Sequence, residues 1–482
     1  MIDALPDAGV PADQILAELR ALRAADLPTH GGKLFAYVYD PGRDGLDELA
    51  HAAYAISAHV NGLDPTAFPS LLAMENALVG AAARLLGGDA ATVGTVTSGG
   101  TESLLLAVKA ARDAHPEIAR PRLVIPSTAH AAFAKAAHYL RVELDVVPVR
   151  ELRADPVAMA AAIGPDTVLV AASAPSYAHG VLDPVADVAA VAAERGVRCH
   201  VDACFGGWVL PYLRRLGADL PAFDLSVPGV TSISVDLHKY AYAPKGVSVL
   251  LHASPELRMP QYFAHADWPG YTMINPGVSS TRSGGPIAAA LATLRHLGEH
   301  GYLALAQTTR DAVGTLAAAV RDTDGVRLYA PPETTVICLA TDGVDLFVLA
   351  DELAARGWHT QPQMAYRDMP ETLHLTVTAA VGATAGEFAP ALAEAVHAAR
   401  RRGPVELPDD LRGAAASLTP TAVTPELIAT LAGQLGLAEG ATGPMAAVNS
   451  LLNIAPPPLR EALLAGFLSL LQRPAEPAGQ PV

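Results

Sequence analysis

Between residues 71 and 251 the apolar positions follow two alternating rhythms. Stretches with apolar residues three or four apart, the spacing of one helix face, are separated by short Val-rich runs of the kind that form doubly buried strands. The spacing predicts helices over 71–86, 104–113, 131–139, 156–163 and 184–195. The runs predict strands over 91–96, 122–126, 142–148, 167–172, 198–202, 231–236 and 247–251. This alternation argues for an α/β fold with a mostly parallel, seven-stranded sheet covered on both faces. Residues 258–283 lose the rhythm and carry many aromatic and turn residues. A loop this long in a compact domain is usually functional or interfacial.

The flanks read differently. Upstream, an amphipathic helix is predicted over 12–25, with Ile15, Leu16, Leu19 and Leu22 on one face, then a helix near 44–59 and an irregular loop over 61–70. Downstream come helices over 285–298 and 302–322. A smaller α/β unit follows, with strands over 335–341, 358–363 and 372–378, and helices over 346–356 and 385–401. The tail from 405 shows two more helical stretches and a Pro-rich end expected to be mobile. The expected domains are an N-terminal arm and dimer-contact segment (1–70), a large domain (71–330), and a C-terminal small domain with a helical tail (331–482).

Composition narrows the classes. Charged residues make up 17% and hydrophobic residues 51%, a globular balance. The net charge of −16 argues against a nucleic-acid or anionic-membrane surface, but leaves room for a small anion in a locally basic pocket. Cys199, Cys204 and Cys338 show neither metal spacing nor a disulfide framework, so no metal site is expected and a reducing cytoplasm fits. The first ten residues lack the basic start and apolar run of a signal peptide, and no stretch reads as a transmembrane anchor.

The candidate chemistry sits where strands end. After the strand ending at Asp236 come His238, Lys239, Tyr240, Tyr242 and a Pro-Lys-Gly turn holding Lys245. A lysine at a strand end among aromatic rings is placed to have a lowered pKa and to form a Schiff base. The Thr97–Ser103 turn offers backbone amides with the Ser98 and Thr101 hydroxyls, a set suited to a phosphate. It matches neither the Walker nor the dinucleotide spacing. Asp202 ends another strand, at the ligand edge of an open α/β sheet, where it can pair with a pyridinium nitrogen. His130 follows a third strand end, and Tyr177 and His179 a fourth. Each has an ordinary structural use alone, as a cap, a turn or a packed ring. Together, at one sheet edge, they describe a pyridoxal 5′-phosphate (PLP) site.

The set resembles the fold-type I PLP enzymes of the group II decarboxylase family, and within it the sphingosine-1-phosphate lyases. The matching stretches include 31–33, 97–103, 127–133, 179–184, 200–207 and 229–246. The most specific is Thr-Ser-Ile-Ser-Val-Asp-Leu-His-Lys-Tyr-Ala-Tyr-Ala-Pro-Lys-Gly over 231–246. The resemblance implies that Lys239 holds PLP, Asp202 binds its ring nitrogen, His130 stacks on one face and Cys204 lies against the other. It implies that Gly100, Thr101 and His238 hold the cofactor phosphate, with Ser280 or Thr281 reaching in from the second subunit of a homodimer whose subunits share each site. Tyr39, Tyr177, His179 and Lys245 fall where the family handles substrate phosphate and acid–base work. Asp64 stands where the family usually has a His, and a carboxylate beside a substrate phosphate would repel it.

The implied activity is retro-aldol cleavage of a phosphorylated long-chain amino alcohol to a fatty aldehyde and phosphoethanolamine, by a cytoplasmic enzyme without a stable membrane anchor. An amino-acid α-decarboxylase of the same family is the alternative, and a non-catalytic PLP binder the third reading. The proton moves are expected of Tyr177 or Lys239.

Overall fold

The computed structural model describes residues 5, 6, 8–435 and 444–472. The N-terminal stretch read for a signal peptide lies partly outside these residues, and the Pro-rich end lies outside them. The large sheet has seven strands: β1 (Val93–Thr97), β2 (Arg122–Pro126), β3 (Glu143–Val147), β4 (Thr167–Ser173), β5 (Arg198–Asp202), β6 (Val230–Asp236) and β7 (Ser248–His252). Their spatial order is β1-β7-β6-β5-β4-β2-β3. Neighbours from β6 to β3 run parallel, and β7 alone runs against both of its neighbours. Every residue of β4 and β7 is buried, as the unbroken apolar runs imply.

Helices α1 (Ala12–Leu22), α2 (Leu46–Ser57) and α3 (Pro69–Leu85) precede the sheet. Crossovers and flanks are supplied by α4 (Gly100–Asp113), α5 (Ala132–Leu140), α6 (Pro156–Ala162), α7 (Val185–Glu194) and α8 (Leu210–Arg215). The predicted helix over 104–113 begins four residues earlier, at Gly100. Glycine is a poor helix former, but Glu102 reaches back to accept from the Ser98 backbone N–H (2.6 Å) and hydroxyl (2.7 Å), fixing the first turn.

Residues 258–283, read as aperiodic, contain a short hairpin, β8 (Phe263–His265) with β9 (Met273–Asn275). The helices expected over 285–298 and 302–322 form one element, α9 (Gly284–Asp322), broken at Gly298, where φ is 57° and ψ −177°. Ile287, Ala290 and Leu294 before the break and Tyr302, Leu305 and Ala306 after it pack into the large core; Ala312, Leu316 and Val320 pack into the small one.

The small sheet, β10 (Val326–Leu328), β11 (Val336–Thr341), β12 (Gln361–Gln363) and β13 (Thr372–Thr376), is antiparallel in the order β10-β11-β13-β12. β10 is too short to leave a periodic signal. The strand predicted over 358–363 shrinks to its last three residues, because Trp358 turns inward and stacks on Phe35 at 5.6 Å. Phe35, from the N-terminal arm, thus joins the small-domain core. Helices α10 (Leu346–Ala355) and α11 (Ala385–Arg402) cover this sheet.

Among the described residues the tail holds four helices where two stretches were expected: α12 (Asp409–Ser417), α13 (Pro425–Gln434), α14 (Ala446–Ile454) and α15 (Pro457–Leu471). Their apolar residues form a separate core around Leu411, Leu431, Leu451, Leu459 and Leu463. The amphipathic α1 forms as predicted, yet none of its residues is buried, and Ile15, Leu16, Leu19 and Leu22 are 43–67% exposed. Among the described residues no helix is long and apolar enough to cross a membrane.

Candidate active site

The carboxyl ends of β4, β5 and β6 meet the start of α4 around a cavity of about 460 Å³. Its walls include Gly100, Thr101, His130, Tyr177, Asp202, Cys204, His238, Lys239 and Lys245. The structure therefore gathers nine of the residues singled out in the sequence, from five separate segments. Such convergence follows from parallel strands, which all deliver their ends to one edge.

Lys239 projects from the loop after β6. Its Nζ lies 2.9 Å from Asp236 Oδ2 and 5.8 Å from the centre of the Phe205 ring. Burial favours the neutral amine, but the Asp236 carboxylate, with Asp202 behind it, outweighs burial and holds the pKa above the ordinary lysine value. This corrects the expectation of a lowered pKa: Asp236, which the sequence reading passed over, is the reason. Asp236 is itself buried; it accepts from the Ser248 hydroxyl at 2.5 Å and stays ionised, because Lys239 and His238 offset its burial. The only signal for it was its place in the Asp-Leu-His-Lys string.

Asp202 faces the cavity from the end of β5, where Oδ1 accepts from the Cys204 backbone N–H at 3.1 Å. The Cys204 thiol donates to Ser234 Oγ at 3.1 Å, and burial raises its pKa far enough to keep it a neutral wall. His238 Nδ1–H donates to the Val247 carbonyl at 3.0 Å, and burial lowers its pKa although Asp236 opposes this. His130 Nδ1 accepts from the Ala132 N–H at 3.1 Å, which fixes its ring edge-on to Tyr177.

The start of α4 is built for close approach. A Cβ on Gly100 would stand 2.8 Å from Cys204 Sγ and 3.0 Å from both Asp236 oxygens. Thr101 lines the same end of the cavity. The Ser98 hydroxyl, expected to face a phosphate, is instead engaged by Glu102, whose other oxygen accepts from the Val278 N–H at 2.7 Å. Glu102 thereby ties the loop before α9 to the helix start.

Tyr177 is positioned by the small domain. Its hydroxyl donates to Gln361 Oε1 at 2.6 Å, and its ring stacks on His374 at 4.5 Å. Burial raises its pKa, with Lys239 opposing. Lys245 is exposed along its length, yet its ammonium sits 5.0 Å over the Tyr39 ring at the cavity wall. Burial there, reinforced by Lys239, brings its pKa down to about 8. Tyr39 packs edge-on against Phe205 and Tyr240, and burial raises its pKa.

Four expected residues stand apart from this cavity. His179 is buried behind the wall against Tyr329, its Nδ1 without a partner and its pKa lowered to about 4 by burial. Asp64 is exposed and closes its own turn, accepting from the Thr66 hydroxyl (2.6 Å) and the Thr66 N–H (2.8 Å), which keeps its pKa low. A carboxylate repelling a phosphate in this chain's own cavity is therefore not what the geometry provides. Ser280 and Thr281 lie in the loop joined to the 61–62 segment, where the Gly62 N–H donates to the Arg282 carbonyl at 2.7 Å.

An amine between carboxylates, a glycine cradle at a helix start and an aromatic wall together define a pyridoxal-phosphate site in an α/β fold. Residues 3–341 match the family model of the pyridoxal-dependent decarboxylase conserved domain, and residues 409–470 that of a C-terminal HTH domain of pyridoxal-dependent enzymes. The chain is 37% identical over 381 residues to the sphingosine-1-phosphate lyase of Dictyostelium discoideum, covering 78% of this chain and 70% of that one. Against the sphingosine-1-phosphate lyase of Oryza sativa it is 36% identical over 385 residues, with the same coverage. The solved structure of the Burkholderia pseudomallei sphingosine-1-phosphate lyase superposes with a TM-score of 0.78 at 36% identity, covering 83% of this chain and 93% of that one. A Lactobacillus brevis glutamate decarboxylase, at 20% identity and a TM-score of 0.73, shares the fold. The chain belongs to the pyridoxal-dependent decarboxylase family, in its sphingosine-1-phosphate lyase branch. The cofactor of this family is PLP, and the cradle and donor set described above fit it.

Proposed function

We propose that this chain is a PLP-dependent carbon–carbon lyase acting on a phosphorylated long-chain amino alcohol, giving a fatty aldehyde and phosphoethanolamine. The observation that carries this reading is the pairing of Lys239 with Lys245 in one cavity. An attachment lysine alone defines a PLP enzyme. A second lysine over Tyr39 adds a cation for a phosphate carried by the substrate, which a plain amino acid lacks.

PLP, when bound, supplies the electron sink for breaking a bond at the amine-bearing carbon. Thr101 and the amides at the start of α4 would hold its phosphate, with His238 beside them. Asp202 would accept from the ring nitrogen, and His130 and Cys204 would bound the ring. Lys239 Nζ would carry the attachment. Tyr177, kept protonated by burial and by Gln361, and Lys239 are the groups that hold protons for delivery to the amine-bearing carbon. Lys245 and Tyr39 grip the substrate phosphate. Phe205, Pro175 and Leu104 exclude water from the reacting end.

The active unit in this reading is a homodimer. The bare apolar face of α1 gives the N-terminal arm its contact role, and Ser280 and Thr281, remote from their own cavity, serve the partner's site. His179 then supports the wall behind Tyr177. The deciding experiment incubates the holoenzyme with sphingosine-1-phosphate and with a panel of amino acids, detecting products by mass. Aldehyde with phosphoethanolamine supports the lyase. Carbon dioxide from an amino acid, without cleavage of the phosphorylated amine, overturns it in favour of the decarboxylase.

A further inference from the structure

Asp236 is the group in the cavity whose geometry is most constrained and whose role is still open. It ends β6 directly opposite Ser248 on β7, so the antiparallel register itself delivers the Ser248 hydroxyl to Oδ1. Oδ2 is left for the Lys239 ammonium at 2.9 Å, with His238 Nε2 at 3.6 Å. The missing Cβ of Gly100 leaves the room this carboxylate fills.

We propose that Asp236, braced by Ser248, is a positioning residue that holds the unattached Lys239 amine as its ammonium and thereby sets the pH at which the chain captures PLP. Attachment joins the lysine nitrogen to the cofactor's aldehyde carbon and releases the aldehyde oxygen as water. The ammonium must first surrender a proton, so a stronger counter-charge pushes capture to higher pH. Asp202, Cys204, Tyr177, His238 and Lys245 also face Lys239, from β5, from the loop after β4 and from its own loop. Glu102, the remaining carboxylate of the cavity wall, is committed to Ser98 and Val278. Among the described residues, Asp236 alone is in ion-pair contact with Nζ.

The inference rests on Lys239 being the attachment lysine, which borohydride trapping and peptide mass spectrometry report separately. Cofactor-free full-length chain is mixed with pyridoxal 5′-phosphate from about pH 6 to about pH 10, and the absorbance of lysine-bound cofactor is followed. The wild-type rate is expected to climb about tenfold per pH unit across most of the window. For Asp236→Asn the profile moves down by at least about one unit, making capture roughly tenfold faster near pH 8. Ser248→Ala keeps the charge but loosens its hold, moves the profile the same way by less, and carries the test should the first variant fold poorly. Pyridoxal, which carries no phosphate, separates the two explanations: a gain seen with pyridoxal 5′-phosphate but absent with pyridoxal would mean only relieved repulsion of the cofactor phosphate, and overturns the inference. Superimposable profiles overturn it as well. A wild-type chain that captures no cofactor at Lys239 overturns the attachment and this inference together.

Discussion

Gly100→Ala sets two opposed effects against each other at the cofactor end of the site. Gly100 opens α4 with no positive φ, so alanine suits its backbone and gains up to about 1 kcal/mol of helix propensity. The new methyl would meet Cys204 Sγ at 2.8 Å and both Asp236 oxygens at 3.0 Å, well inside ordinary contact distance. Neither neighbour can yield cheaply, since the thiol is held by Ser234 and the carboxylate by Ser248 and Lys239. Overpacking of this kind costs about 1–3 kcal/mol, so the net loss of stability is about 0–3 kcal/mol. The cofactor is affected more. Relief comes most easily by moving the helix start outward, which pulls amides off the phosphate; losing one hydrogen bond to a charged group costs about 1.5–3 kcal/mol, roughly 10–150-fold in affinity. Titration of cofactor-free protein with PLP measures the affinity, and melting of the same protein measures the stability. A variant that binds PLP within twofold of wild type would refute the reasoning, because the cradle would then not depend on the absent methyl.

Three further outcomes follow from the site. Lys245→Met should leave PLP binding intact and lower kcat/KM for a phosphorylated amine by roughly 10–100-fold, as expected for one lost charge-assisted contact. Burial holds the Lys245 pKa near 8, so the wild-type KM for that substrate should rise as pH climbs through about 8 and the cation is lost, a limb absent in Lys245→Met; steady-state kinetics across pH checks both. Gln361→Leu removes the acceptor of the Tyr177 hydroxyl, and kcat should fall with little change in PLP affinity, as stopped-flow and titration together would report.

The sheet and its ligand edge were legible because strands buried on both faces leave unbroken apolar runs, and the first residues that break them are where side chains reach the cavity. Lys239, Asp202 and His130 could be placed for that reason. What escaped the sequence was pairwise. The upward push on Lys239 needs Asp236 at 2.9 Å, and nothing in local spacing says which of two carboxylates stands closer. Tyr177 meets Gln361 across 184 positions, a separation no periodicity spans. Glu102 lies inside the Thr97–Ser103 turn, and nothing local shows that its two oxygens bridge Ser98 and Val278. The tail's four helices blurred into two because alanine-rich sequence gives little contrast between faces.

Helix α9 has a consequence for how this architecture can be taken apart. Its C-terminal half serves two different hydrophobic cores, so a break at Gly298 deprives the large core of Tyr302, Leu305 and Ala306, which stay with the small sheet. The large and small domains are therefore not interchangeable parts: neither can be cut out or grafted without carrying half of the same helix. The described residues between 407 and 471 are different, with a core of their own and polar moorings such as Asp351 to the Met445 and Ala446 amides. A hybrid enzyme made by exchanging segments with a relative should survive a junction near Gly403 and fail at one near Gly298.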